Sequence, residues 1–215
     1  MHEIQTQILK QLTLSEKARY SNIKPPKVGG NQFAYHLKQT IDDGYVKKEG
    51  SFYSLTEKGE HFADTISLKT FTKRSQPKIV TMIFAENGKK EILFYERDKQ
   101  PFIGKYSLPY GKIHLGERIE ESAKRETEEK TGIGAKKLKH RGDAYVAIYK
   151  KEEIISHMLC HIFEVKLPEG KTKDSCFWKD AKDIKNDEFV PGIKDILNLL
   201  AKNKEKFFKE IFVEA

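Results

Sequence analysis

The sequence predicts an α+β chain of two domains joined by a linker. Three observations carry that expectation. Residues 1–66 show apolar residues at helical spacing, broken by one short hairpin signal. Residues 67–78, SLKTFTKRSQPK, have no period and carry Ser, Gln and Pro, which reads as a linker. From residue 79 to 215 strand-like runs surround one strongly charged helix and end in an apolar stripe.

A chain of 215 residues fits one large domain or two small ones. Hydrophobic residues at 38% allow a core, and charged residues at 33% make the surface ionic. The net charge of +8 favours anionic partners, either nucleic acid or phosphorylated metabolites, and says nothing about fold. Residues 1–75 hold 12 Lys and Arg against 8 Asp and Glu, so this smaller part contributes +4 and is the more basic per residue. The two cysteines, Cys160 and Cys176, lack metal-type spacing, as expected of a reduced intracellular protein. MHEIQTQILK has no signal-peptide apolar core, and no apolar run approaches the ~20 residues of a membrane helix. A soluble cytoplasmic protein with no membrane partner is the expectation.

Ile4, Ile8, Leu9 and Leu12 predict a first helix. Ser15 is expected to cap a second helix reaching Ile23, stopped by Pro25-Pro26. Asn31 is expected to cap a third, with Phe33, Leu37 and Ile41 inward and Gln32, Tyr35, His36 and Gln39 outward. Two β-type runs flank Glu49-Gly50, and Thr56 caps a further helix through Ile66.

This order, and the string HLKQTIDDGYVKKEGSFYSLTEKG in particular, resembles a winged helix-turn-helix domain over residues 1–66. Such domains set a recognition helix in the major groove of duplex DNA. The resemblance implies that Asn31, Gln32, Tyr35, His36 and Lys38 face DNA bases, with Lys47 and Lys48 of the wing on phosphates. The other reading is a module for protein contacts or dimerisation, with Lys47-Lys48 an ordinary solvated pair, and a homodimer stays open.

In the second domain KIVTMIFAENGKKEILFYER places two strands around Asn87-Gly88, a hairpin signal. An irregular loop, Arg97 to Pro109, leads to a short strand. Asp143–Tyr149 and Ile154–Lys166 predict two more strands around a turn at Lys150-Lys151-Glu152-Glu153. A final helix is expected from about Ile193 to Phe212, its stripe of Ile193, Ile196, Leu197 and Leu200 packed on a sheet.

Between these lies GKIHLGERIEESAKRETEEKTGI, Gly111 to Ile133. Gly132 ends its helix, since glycine takes the left-handed conformation at a C-terminal cap. Glu126 and Glu129 share one helical face. Carboxylates gathered on one face are costly without a cation, and Mg²⁺ takes such oxygens while leaving room for phosphates. The spacing resembles the Nudix box, G-x5-E-x7-R-E-U-x-E-E-x-G-U, with Gly111, Glu117, Arg125, Glu126, Glu129, Gly132 and Ile133 in register. Thr127 stands where an aliphatic residue belongs, and Lys130 where the last glutamate, a principal metal ligand, belongs.

The resemblance implies an α/β/α Nudix-fold domain with a mixed sheet over residues 79–215. It also implies a nucleoside-diphosphate-linked small molecule as ligand, with Mg²⁺ at a weakened site. Glu126 and Glu129 would be the metal and catalytic carboxylates. Lys130 would bind the diphosphate directly, leave a weakened metal site, or point away. Arg125 would pair with Glu117 and hold the loop and helix together, and it is also a candidate substrate-binding residue. Glu152 or Glu153 could add a carboxylate, though surface charge accounts for both. The two resemblances together are similar to Nudix-related transcriptional regulators, so the leading expectation is a ligand-responsive DNA-binding protein with weak or absent hydrolysis. The alternative is an active Mg²⁺-dependent pyrophosphohydrolase, and a protein-interaction adaptor is a third.

Overall fold

The computed structural model describes every residue except 68, 136, 168–171 and 174. The chain separates into two compact units, Met1–Ser75 and Gln76–Ala215.

The first unit opens with α1 (Glu3–Thr13), capped by His2, whose Nδ1 accepts from the Ile4 amide at 3.2 Å. The expected second helix is mostly absent. Ser15 Oγ donates back to the Gln11 carbonyl at 3.0 Å, so it closes α1 rather than capping a successor. Ala18–Arg19 then forms β1, and only Tyr20–Ile23 is helical, as α2. Helix α3 (Gly30–Asp42) starts earlier than expected, with Gly29 at the N-cap instead of Asn31, because the Phe33 amide already bonds Gly29 O at 2.9 Å. Strands β2 (Val46–Glu49) and β3 (Phe52–Leu55) form the hairpin, with β1 on the far side of β3. Thr56 caps α4 (Glu57–Thr65), its hydroxyl accepting from Gly59 N at 3.2 Å. Ile4, Ile8, Leu9, Leu12, Ile23, Phe33 and Leu37 are the centre of this unit's core.

The second unit is built on a five-stranded mixed sheet with the order β11-β8-β9-β4-β7. Strand β4 (Lys78–Phe84) runs into the Asn87-Gly88 turn and out to β5 (Ile92–Glu96). The hairpin expected there pairs only beside its turn, Glu86 with Ile92 and the Leu93 amide to Ala85 O at 3.0 Å. The strands then part because both edges of β4 are already taken. After β6 (Tyr106–Ser107) comes β7 (Tyr110–Lys112), which lies antiparallel to β4, and β9 lies parallel on its other edge. Next comes α5 (Ile119–Thr131), closed by Gly132 at φ +76°. Long strands β8 (Leu138–Lys150) and β9 (Glu153–Val165) pair along most of their length. Strand β10 (Cys176–Lys179) joins β5 and β6 in a separate three-stranded sheet.

Helix α5 packs on one face of the mixed sheet through Ala123 against Ile83, Phe163 and Val165. Helix α6 (Ile193–Lys202) packs on the other, with Ile193, Ile196 and Leu200 among Val80, Met82, Val146, Ile148, Cys160 and Ile162. The predicted helix to Phe212 stops at Lys202. Phe207–Glu214 is instead β11, parallel to β8, with Ile211 buried and Phe208 and Phe212 outward. That alternation has the period of a strand. Among the described residues no helix is long and apolar enough to cross a membrane.

Candidate functional site

Strand β7 and helix α5 bring the ends of the box motif together. Glu126 is buried, at 5% exposure, and its carboxyl lies directly against Gly111. A methyl group at Gly111 would overlap that carboxyl, so the strand needs glycine for a close approach. Glu117 closes the connecting turn by accepting from the His114 amide at 2.9 Å.

Arg125 is the hub. Its Nε and Nη2 donate to the two oxygens of Glu117 at 2.7 and 2.9 Å, a planar fork on a carboxylate. Nη1 donates to Glu126 at 2.5 Å and to Glu129 at 3.3 Å. Nη2 also reaches the Lys112 carbonyl at 3.1 Å and Ser122 Oγ at 3.3 Å. The arginine's donors are therefore committed within the chain, where they tie the loop, strand β7 and helix α5 together. Its hydrogen bonds, followed by that of the His114 amide, draw the Glu117 pKa down to about 2. The same carboxylates raise that of Arg125 further above its usual range.

Glu126 and Glu129 thus converge on one guanidinium nitrogen. They differ in access, since the Glu126 side chain is 7% exposed and that of Glu129 56%. Thr127, at the aliphatic position, is fully buried, its methyl in the interior and its hydroxyl donating to Ala123 O at 2.6 Å.

Lys130 turns elsewhere. Its Nζ lies 4.8 Å from the centre of the Tyr95 ring, a cation–π contact. Tyr95 in turn donates its hydroxyl to Asp98 at 2.7 Å, and burial followed by that partner pushes the phenol up to about 12. The main chain here is pinned as well. Cys176 Sγ–H donates to Lys130 O at 3.2 Å, and Lys173 Nζ donates to Glu129 O at 2.5 Å.

Glu152 and Glu153 lie at the β8–β9 turn and are exposed. Gly111, Thr81 and His161 share one row across β7, β4 and β9. Glu153 is eight residues along β9 from that row, roughly 26 Å at strand rise, too far to join Glu126 and Glu129. Arg97 is a neighbour that the sequence did not single out. It is 8% exposed and has no carboxylate partner among the described residues. It donates to Pro101 O at 2.8 Å, to Lys99 O at 3.3 Å and to the Tyr110 hydroxyl, which clips its loop onto β7. A single arginine in an irregular loop offers no period to read.

In the first unit, Asn31, Gln32, Tyr35 and Lys38 are exposed on α3, and Lys47 and Lys48 on β2. Tyr35 accepts a hydrogen bond from Gln39 at 2.9 Å, and Lys47 pairs with Glu49 at 2.9 Å. His36 contradicts its outward assignment. It is 8% exposed and stacks on His2, ring centres 4.0 Å apart, because α1 packs across that face of α3.

Residues 76–207 match the family model described as NUDIX domain. No curated protein matches the chain. Among solved structures, it is similar to a mutator MutT protein from Bacillus halodurans at 23% identity and TM-score 0.52, over 63% of this chain and 89% of that one. It is also similar to the NUDIX domain of Shewanella oneidensis NrtR, solved with ADP ribose, at 13% identity and TM-score 0.50, over 69% and 98%. A NUDIX hydrolase from Nitrosomonas europaea matches at 18% identity and TM-score 0.50, over 61% and 93%. At these identities the likeness is one of fold.

Proposed function

The chain belongs to the Nudix family, and on that premise we propose that it hydrolyses the diphosphate linkage of a nucleoside-diphosphate derivative with the help of Mg²⁺. The observation that carries this reading is the position of Lys130. Its ammonium rests on Tyr95, while Glu126 and Glu129 converge on Arg125. The substitution removes one carboxylate without adding the lysine's own charge to the other two, which share the Arg125 guanidinium. This weighting favours the hydrolase over the sensor with absent turnover that the sequence put first.

The donor set fits the ion. Mg²⁺ commonly takes one or two protein carboxylates and fills its remaining positions with water and substrate phosphate oxygens. When bound, the ion neutralises the diphosphate and activates a water. The remaining work belongs to the chain. Arg125 holds Glu117 and Glu126 in fixed positions. Glu126, dry and seated on Gly111, would be a rigid ligand for the ion. Glu129, open to solvent and loosely held at 3.3 Å, would supply the second ligand oxygen and take the proton of the attacking water.

The test is a panel of nucleoside-diphosphate derivatives incubated with Mg²⁺ and followed for product release and thermal shift. ADP ribose is the first probe, since a domain of similar fold was solved with it. Turnover supports the hydrolase. Thermal shift without turnover on any member selects the sensor.

A second reading adds DNA binding by the first unit. Helix, short helix, helix, hairpin and helix follow one another as in a winged helix-turn-helix module. The exposed polar face of α3 and the hairpin lysines support that role. In this reading Asn31, Gln32, Tyr35 and Lys38 meet bases, Lys47 and Lys48 meet phosphates, and His36 belongs to the core.

A further inference from the structure

On the face of the mixed sheet that α5 partly covers, three side chains meet that the box does not use. Asp143 on β8 and His161 on β9 are directly opposed in antiparallel register. His140 joins them through an irregularity. Side chains alternate along a strand, so residues 140 and 143 would ordinarily face opposite ways. The register shifts between His140 and Gly142, and a bulge of this kind re-aims a side chain. Gly142 has φ +150°, and a Cβ there would collide with the Phe207 backbone, so the bulge requires glycine. The result is that Asp143 Oδ1 lies 2.9 Å from His140 Nε2 and 2.7 Å from His161 Nδ1. The candidate ligand atoms of all three lie within 4.8 Å of one another. Side-chain exposures of 27%, 30% and 16% leave the cluster reachable from solvent.

We propose that His140, Asp143 and His161 bind a divalent transition-metal ion of zinc type, at a site separate from the box glutamates. Two imidazole nitrogens and one carboxylate oxygen are a donor set zinc takes, with a fourth position left to water. Mg²⁺ prefers an all-oxygen shell, so the two sites differ in the metal they select. Without an ion, both rings share hydrogen bonds with the same Asp143 oxygen. On binding, a bonded ring nitrogen that holds a proton gives it up. In a neutral ring the proton moves to the other nitrogen, and in a charged ring it leaves to solvent. With metal–ligand bonds of about 2.1 Å and tetrahedral angles, donors stand about 3.4 Å apart. Each histidine–aspartate pair therefore opens by roughly half an ångström. His161 lies two strand spacings from Gly111, roughly 10 Å, so one ion does not touch both sites. The proposal does not rest on the hydrolase reading.

The test uses the full-length chain, stripped of metal and titrated with zinc alone against a chromophoric chelator, with and without excess Mg²⁺. The expected result is one tight equivalent that Mg²⁺ does not displace and that Glu129→Gln leaves unchanged. His161→Ala and Asp143→Asn should each weaken it at least about tenfold. Asp143→Asn keeps a hydrogen-bond acceptor between the rings, so it separates loss of the ligand from loss of the fold, which circular dichroism checks. Cobalt(II) should give visible bands of low coordination number that His161→Ala removes. The proposal is overturned if the wild type takes up no zinc equivalent or if Glu129→Gln abolishes uptake. It also fails if both cluster variants bind as the wild type does, which would send the zinc to another histidine pair such as His2 and His36.

Discussion

The carboxyl group of Glu126 rests on Gly111 so closely that no side chain fits between them. This contact locks helix α5 to strand β7 and fixes the driest carboxylate of the site. Gly111→Ala must push Glu126 aside or shift β7, with overpacking of about 1–3 kcal/mol. A lowered melting temperature and lost turnover are expected together. Gly134→Ala, where an added Cβ meets nothing within 4 Å, should change neither. Equal behaviour of the two variants would remove the packing argument.

Glu117 gives a pH dependence of known sign. Its pKa falls from an ordinary 4.5 to about 2 in the folded chain, chiefly through Arg125. A group with a depressed folded pKa stabilises fully above its unfolded value and loses that contribution as pH falls through the folded one. The stability difference between wild type and Glu117→Gln should therefore be constant above about pH 4.5 and shrink between 4.5 and 2. Denaturant midpoints across that range measure it. A difference that stays constant down to the lowest pH would show that the Arg125 fork contributes nothing.

Both cysteines should be inert in the folded chain. Burial pushes the Cys160 thiol up to about 12 and that of Cys176 up to about 11, so little thiolate exists at neutral pH. An aromatic disulfide reagent should titrate no thiol promptly under native conditions and two after denaturation. Rapid native reaction of either would mean that the β10 edge or the sheet core opens readily.

DNA binding by the full chain should fall as salt rises, because phosphate contacts release counterions. The double change Lys47→Ala and Lys48→Ala should weaken binding to every duplex and reduce the salt slope by up to about 2. Gln32→Ala should alter preference among sequences instead. Fluorescence anisotropy without any salt-sensitive binding would leave the first unit as a module for protein contacts.

The box helix was legible because its determinants are local. Glu126 and Glu129 share a face by helical period, and Gly132 marks the end. The β8 and β9 strands could be read from alternation, although their length came from pairing with each other. Phe207, Phe208, Ile211 and Phe212 suit a helix as well as a strand, and only the free edge of β8 decides between them. His36 could not be placed, because the face of α3 that is buried depends on where α1 packs. His140, Asp143 and His161 were invisible for a stronger reason. They lie on two strands, and the bulge at Gly142 reverses the face that His140 would otherwise take.

Lys130 bears on the choice between enzyme and sensor, and Glu129 decides it. With ADP ribose and related diphosphates, product release should rise with Mg²⁺ concentration in the wild type. Lys130→Ala, which loses only the contact with Tyr95, should stay within a few-fold of it. Glu129→Gln keeps the shape of the side chain and removes its charge, and should lower kcat by about 100-fold or more if that carboxylate takes the proton. Mg²⁺-dependent turnover that persists unchanged in Glu129→Gln would contradict the assignment of the reaction to this face of the helix.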